Sequence, residues 1–291
     1  MSIKKIKIVS SDEIMLNKKI NLILRSLEKS KTSKEKKGIK LEGQKLIKKI
    51  KEKCNSSSKK YFIIKCNNKK RLLENIKFIV SLFGKKISQN SKKEKMLLVT
   101  PNTRLIKKFK KKINDKLRYH QTNKGGSIHT DGPQHKDTPK FLLMASISNK
   151  NRGGESIVVD GKKIFDYLRK NKPTICKTLQ EKYLFERRGF NYSNKNIFKK
   201  PIFENKKNFS MRYLREYIIT AYKTVNEEIP SDKFKAMNYL DKLLYSKKFQ
   251  KKFKLKEGEI VIINNKSLAH GRTSFAINQL KPRKILRVWY N

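Results

Sequence analysis

Imidazole chemistry in this 291-residue chain has four residues to draw on: His120, His129, His135 and His270. His129 and Asp131 form a His-Thr-Asp triplet. Residues two apart on an extended segment point to one face, so a ring nitrogen and a carboxylate oxygen can meet at one cation. A distant histidine would complete a two-His, one-carboxylate facial set, which leaves coordination positions open on a non-haem Fe(II). His270, in Leu268-Ala269-His270-Gly271-Arg272 after an apolar run, is the natural third member. His120 and His135 are assigned mainly to structure or surface. A His-x-Asp triplet also arises by chance in many proteins, and its neighbours give this one its weight. Gly153-Gly154-Glu155-Ser156 begins 24 residues after His129 and leads into a strand, and Arg283 lies 13 residues after His270.

Taken together, these pieces resemble the Fe(II)/2-oxoglutarate dioxygenases of the taurine dioxygenase (TauD/TfdA) superfamily, most closely its γ-butyrobetaine and trimethyllysine hydroxylase branch. The likeness is carried by Ile128-His129-Thr130-Asp131, by residues 153–161, by Gly258-Glu259-Ile260-Val261 leading to Asn265, by His270-Gly271-Arg272-Thr273-Ser274-Phe275, and by Arg283 with Tyr290. They stand in family order over residues 60–291. The resemblance implies a double-stranded β-helix (jelly roll), Fe(II) as the metal, and 2-oxoglutarate and O₂ as co-substrates. It implies release of succinate and CO₂ as a small polar metabolite, such as a betaine, amino acid, phosphonate or sulfonate, is hydroxylated or thereby cleaved or dealkylated. His129, Asp131 and His270 would be the iron ligands. Arg283, helped by the Ser156 hydroxyl, would hold the distal carboxylate of 2-oxoglutarate, for which a guanidinium offers two parallel charge-assisted hydrogen bonds. Arg287, four residues on and on the same side of the strand, is read either as a contact to substrate or 2-oxoglutarate or as an outer-edge charge.

Residues 211–218 match a family segment that borders the pocket, so Arg212 and Tyr213 are candidate substrate contacts. Read as a strand, the segment places Tyr213, Arg215 and Tyr217 on one face. Two departures from the branch stand out. Residues 1–58 hold only Cys54, where the branch often carries a cysteine-rich zinc module, and the stretch before the triplet is poor in aromatics that could box a trimethylammonium group. The Gly-Gly before the triplet and the His-Gly-Arg-Thr-x-Phe after it are also similar to the clavaminate synthase-like branch, which commonly has Glu where Asp131 stands.

The elements that must position these residues read as mainly β with flanking helices. Residues 1–58 form a basic helical extension: a short strand, a helix patterned by Ile14, Met15, Leu16, Ile20, Ile23, Leu24 and Leu27, a polar loop over 29–37, and a second helix near 42–53. The domain over 59–291 opens with a strand at 61–66 and a helix at 71–83 stopped by Gly84. Further strands are expected at 96–100, 140–147, 156–159, 202–204, 209–214, 259–263 and 284–290. Helical insertions near 161–182, capped by Asp160, and 231–249 interrupt them. Many short strands wrapped by helices predict a sandwich or jelly roll. Trp289, the only tryptophan, is read as core.

Lysine and arginine number 74 against 24 acidic residues, a formal charge of +50. Such an excess suggests an anionic partner, so the alternative reading is a nucleic-acid- or acidic-partner-binding protein on a catalytically silent version of the fold. The lysines are spread through nearly every segment, and the complete set of ligand positions favours the enzyme with a small-molecule substrate. Three scattered cysteines argue against a disulfide framework and for a reducing, cytoplasmic compartment. No apolar run approaches membrane-spanning length. Homo-oligomerisation is compatible with the sequence.

Overall fold

The computed structural model describes residues 11–56, 59–101, 122–187, 197–205, 208–278 and 280–291. Helices α1 (Ser11–Lys29) and α2 (Ser33–Ser56) lead into strand β1 (Tyr61–Lys65) and α3 (Leu72–Leu82). Short strands β2 (Lys86–Ile87) and β3 (Met96–Val99) precede β4 (Gly126–His129), β5 (Phe141–Ser148) and β6 (Ser156–Asp160). An insertion follows: α4 (Gly161–Asn171), α5 (Pro173–Thr178), strands β7 (Lys182–Glu186), β8 (Ile197–Pro201), β9 (Phe203–Asn205) and β10 (Phe209–Met211), then α6 (Arg215–Thr224) and α7 (Ser231–Tyr245). The chain closes with β11 (Gln250–Phe253), β12 (Glu259–Asn264), β13 (Leu268–Arg272) and β14 (Lys284–Tyr290).

Two antiparallel sheets make the jelly roll. The larger runs β1-β12-β5-β14, with β2 and β3 both on β14, and the smaller runs β11-β6-β13-β4. Their facing sides share one apolar layer of Leu142, Val261, Ile263, Ile285 and Trp289 against Val158, Phe253 and Leu268. Each sheet is also covered from outside. Phe62, Ile64, Leu143, Ile260, Ile262 and Val288 lie under α1, α2 and α3, while Val159 and Ala269 lie under the inserted helices. Burial on both faces explains why β12 reads Ile260-Val261-Ile262-Ile263 without alternation.

Residues 11–56 thus share a hydrophobic cluster with the larger sheet, through Leu16, Ile20, Ile23 and Leu24 of α1 and Leu46, Ile47, Ile50 and Cys54 of α2. The expected loop over 29–37 is shorter, because α2 starts at Ser33. Its start is a reciprocal capping box: the Glu35 N–H donates to Thr32 Oγ1 (3.1 Å), and the Thr32 N–H donates to Glu35 Oε2 (3.1 Å). The expected strand at 209–214 ends at Met211, and residues from Arg215 are helical, burying Ile218, Ala221 and Tyr222 at helical spacing. The expected N-terminal strand lies outside the described residues.

An edge strand leaves unpaired backbone groups that invite another chain. On β1 they meet two asparagines of α1. Asn17 donates to Ile63 O (3.1 Å) and accepts from the Lys65 N–H (2.8 Å), and Asn21 donates to Lys65 O (2.8 Å) and accepts from the Asn67 N–H (3.0 Å). One helical turn between the asparagines spans about the distance of two strand residues, so the two amides step along β1 in register. Replacing both by leucine removes these four hydrogen bonds, which water can partly replace, and two more within α1. We expect a loss of about 1–3 kcal/mol in urea unfolding, with faster amide exchange at Lys65 and Asn67.

Candidate active site

His270 of β13 stands opposite His129 of β4, and opposite partners in an antiparallel ladder share a face. Their ring centroids are 4.7 Å apart. Asp131 follows β4 directly, with Oδ1 3.6 Å from His129 Nε2 and Oδ2 3.7 Å from His270 Nε2. The three donor atoms lie within 4.8 Å of one another. Ser127, at φ 40°, turns its carbonyl to 2.7 Å from His129 Nδ1. A carbonyl only accepts, so Nδ1 carries the proton and Nε2 offers its lone pair towards Asp131. His270 is buried, and its Nδ1 has no hydrogen-bond partner among the described residues.

The electrostatics prepare a cation site. Burial pulls the Asp131 pKa upward, but the adjacent Arg287 guanidinium outweighs it and holds the carboxyl well below its usual range. Burial drives His270 down to about 3, and the Asp131 charge only partly restores it. An ionised carboxylate beside a neutral imidazole, with a second imidazole whose tautomer is fixed, is the protonation state in which all three donate to a metal. The donor set therefore suits a divalent ion of borderline softness, with nitrogen and oxygen ligands.

The loop carrying Asp131 is fixed from two sides. Asn265, fully buried, accepts from the Asp131 N–H (2.8 Å) and donates to Asp131 O (3.0 Å) and Pro139 O (2.9 Å). Thr130 and Tyr213 are tied by reciprocal bonds: the Thr130 N–H donates to Tyr213 O (2.9 Å), and the Tyr213 N–H donates to Thr130 Oγ1 (2.9 Å). Gly132, at φ +69°, takes the turn where a Cβ would run into Pro139.

Arg212 and Tyr213, expected at the substrate, make hydrogen bonds within this scaffold. Arg212 is buried and gathers three carbonyls, Pro133 O (2.7 Å), His135 O (2.6 Å) and Lys136 O (2.9 Å), while its guanidinium lies over Phe185 and Phe198. Burial pushes its pKa down to about 10. The Tyr213 hydroxyl donates to Asp241 Oδ1 of α7 (2.6 Å), and Arg215 meets the other oxygen of that carboxylate (2.7 Å). The sequence reading put Tyr213, Arg215 and Tyr217 on one strand face. The helix beginning at Arg215 removes that alternation. His120 lies outside the described residues, and His135 is buried edge-on to Trp289.

Arg283, just ahead of β14, is buried with its guanidinium 5.5 Å from the Phe275 ring centre and its Nε beside Gly154. Lys254 adds positive charge: burial and Arg283 both lower its pKa. Ser156 is buried on β6 on the same face as Val158, which lies in the layer between the sheets. Arg287 points inward on β14, donating from Nη1 to Asp131 Oδ1 (3.1 Å) and from Nε to Gln89 Oε1 (2.8 Å). Trp289 Nε1 donates to Asp131 Oδ2 (2.9 Å). The sequence reading had not connected Gln89 or Trp289 to the site. A buried indole needs an acceptor, and Trp289 lies two residues from Arg287 on one strand face, so that contact left a trace. Gln89 left none.

With this geometry in hand, residues 81–289 match the family described as taurine catabolism dioxygenase TauD, TfdA family. γ-Butyrobetaine dioxygenase from Homo sapiens is 26% identical over 155 residues, 51% of this chain and 40% of that protein, and the Pongo abelii protein matches equally. The match therefore spans less than half the length of these relatives. Among solved structures, an asparagine oxygenase complexed with Fe(II), 2S,3S-3-hydroxyasparagine and succinate is similar at TM-score 0.67 and 11% identity, covering 97% of this chain and 92% of that one. The non-heme iron oxygenase OrfP with Fe and alpha-ketoglutaric acid is similar at TM-score 0.65 and 13% identity, covering 97% and 93%.

Burial holds His270 near 3 and His135 near 4 in the fold, against 6.5 for a free imidazole. The unfolded chain therefore binds these protons first, and folding stability falls as pH drops below 6.5 until the folded values are reached. Each contributes up to about 1.4 kcal/mol per pH unit over its window. In metal-free protein, urea midpoints should fall between pH 6.5 and 4, and His135→Gln should flatten that slope by up to one proton. Asp131, depressed from 3.8, adds its own loss only below that value.

Proposed function

The chain belongs to the TauD/TfdA dioxygenase family, and from that premise we propose that it is an Fe(II)- and 2-oxoglutarate-dependent oxygenase acting on a small polar molecule. The observation that carries this reading is the convergence of His129, Asp131 and His270 on one face. His129 Nε2, an Asp131 oxygen and His270 Nε2 would hold Fe(II). The chemistry that Fe(II) supplies when bound is O₂-dependent decarboxylation of 2-oxoglutarate to succinate and CO₂, coupled to hydroxylation of a C–H bond.

The chain's own residues supply position and environment. Arg283 would bind the distal carboxylate of 2-oxoglutarate, with Ser156 as a neutral donor. Lys254 raises the local potential for an anion without entering the fork. Ser127 keeps His129 in the ligating tautomer. Leu142, Val158 and Ile285 wall the interior with apolar surface that excludes water and strengthens each polar contact inside. The asparagine oxygenase holds hydroxyasparagine and OrfP holds (3S)-hydroxy-L-Arg, which supports an amino acid or a similarly small zwitterion as substrate.

The test is an anaerobic titration with Fe(II), then 2-oxoglutarate, followed by the visible charge-transfer band of the chelate. We expect the band in wild-type protein, its loss in His129→Ala, and at least a roughly tenfold weaker 2-oxoglutarate affinity in Arg283→Ala, the scale of a lost charge-assisted hydrogen bond. Succinate release across a panel of amino acids and betaines then identifies the substrate. No band in correctly folded protein would refute the proposal.

A further inference from the structure

We infer that Trp289 and Gln89 are positioning residues for the carboxylate of Asp131, Trp289 directly and Gln89 through Arg287. The inference rests on the metal-site reading above. Asp131 is 3% exposed, and both its oxygens are engaged from one strand: Oδ1 by Arg287, Oδ2 by the indole of Trp289. The two donors sit at opposite ends of the carboxylate, so rotation about its Cβ–Cγ bond breaks both bonds together. What remains on each oxygen faces the histidines, Oδ1 towards His129 Nε2 and Oδ2 towards His270 Nε2.

Arg287 is itself held. Gln89, 3% exposed, accepts from Arg287 Nε through Oε1 (2.8 Å) and donates through Nε2 to Arg287 O (2.8 Å) and Lys95 O (3.1 Å). One amide therefore grips both the side chain and the main chain of Arg287. The Gln89 N–H is anchored in turn on Glu94 O (2.7 Å). The guanidinium lies 5.0 Å from the Trp289 ring centre, so the two groups that grip Asp131 also pack on one another. Engagement of Nε and Nη1 inside the protein makes Arg287 part of the metal site's support, not the free anion anchor that its strand position suggested.

Trp289 and Gln89 are both uncharged, so replacing them alters the orientation of Asp131 without changing the electrostatic balance around a dication. The experiment uses the full chain and Co(II), whose visible bands report both affinity and ligand field. Trp289→Phe and Gln89→Leu should each bind Co(II) about 10- to 100-fold more weakly, the range for outer partners of metal ligands, with shifted bands. Zn(II), which does not quench by itself, should change the emission of wild-type protein, because Trp289 is the only fluorescent indole. Folded variants that bind Co(II) within twofold of wild type, with unchanged bands, overturn the inference while leaving the metal site intact. Wild-type protein that takes up no Co(II) overturns both. If Trp289→Phe fails to fold, Gln89→Leu decides the question alone.

Discussion

A single buried negative charge organises the centre of this protein. Asp131 is taken out of water at the end of β4, where an uncompensated carboxylate would cost several kcal/mol. The guanidinium of Arg287 and the indole of Trp289 donate to that charge, and the two imidazoles complete its surroundings. Those groups come from β14, β4 and β13, strands of both sheets. The charge can be accommodated only when the jelly roll has closed, which makes the site a consequence of complete folding and not of any one motif.

Around that centre the fold spends buried polar groups on holding backbone. Asn265 grips the main chain on either side of the Asp131 turn, Thr130 is laced to Tyr213, and Arg212 collects three carbonyls from the following residues. Tyr213 passes the connection to α7 through Asp241. The inserted helices are thus coupled by hydrogen bonds to the Asp131 loop, whose geometry they help to fix.

The convergence of His129, Asp131 and His270 was legible because metal chemistry demands particular residue types in an order that local spacing reveals. Strands β5, β12 and β14 were legible because double-sided burial leaves long apolar runs. Strands β7, β8 and β11 were not, being short and rich in lysine, with Lys182, Lys199, Lys200, Lys251 and Lys252 among their residues. The hold of Arg212 on three carbonyls and of Tyr213 on Asp241 was not legible, because an arginine and a tyrosine look the same in sequence whether they meet a ligand or the protein's own polar groups. The helix at Arg215 was missed because Arg215, Tyr217 and the residues between alternate as plausibly as a strand. The start of α2 at Ser33 was written in Thr32 and Glu35, but a dense lysine run hid the capping box.

The amide ladder between α1 and β1 has a consequence for how the chain is made. On a ribosome, Asn17 and Asn21 emerge about 45 residues ahead of the strand they cap, whereas β12, the other neighbour of β1, follows almost 200 residues later. Closing the shorter loop costs less chain entropy and needs no further synthesis. α1 can therefore occupy one flank of β1 while the other still waits for its partner. In that order of events the register of β1 is set against α1 before β12 docks on its other side.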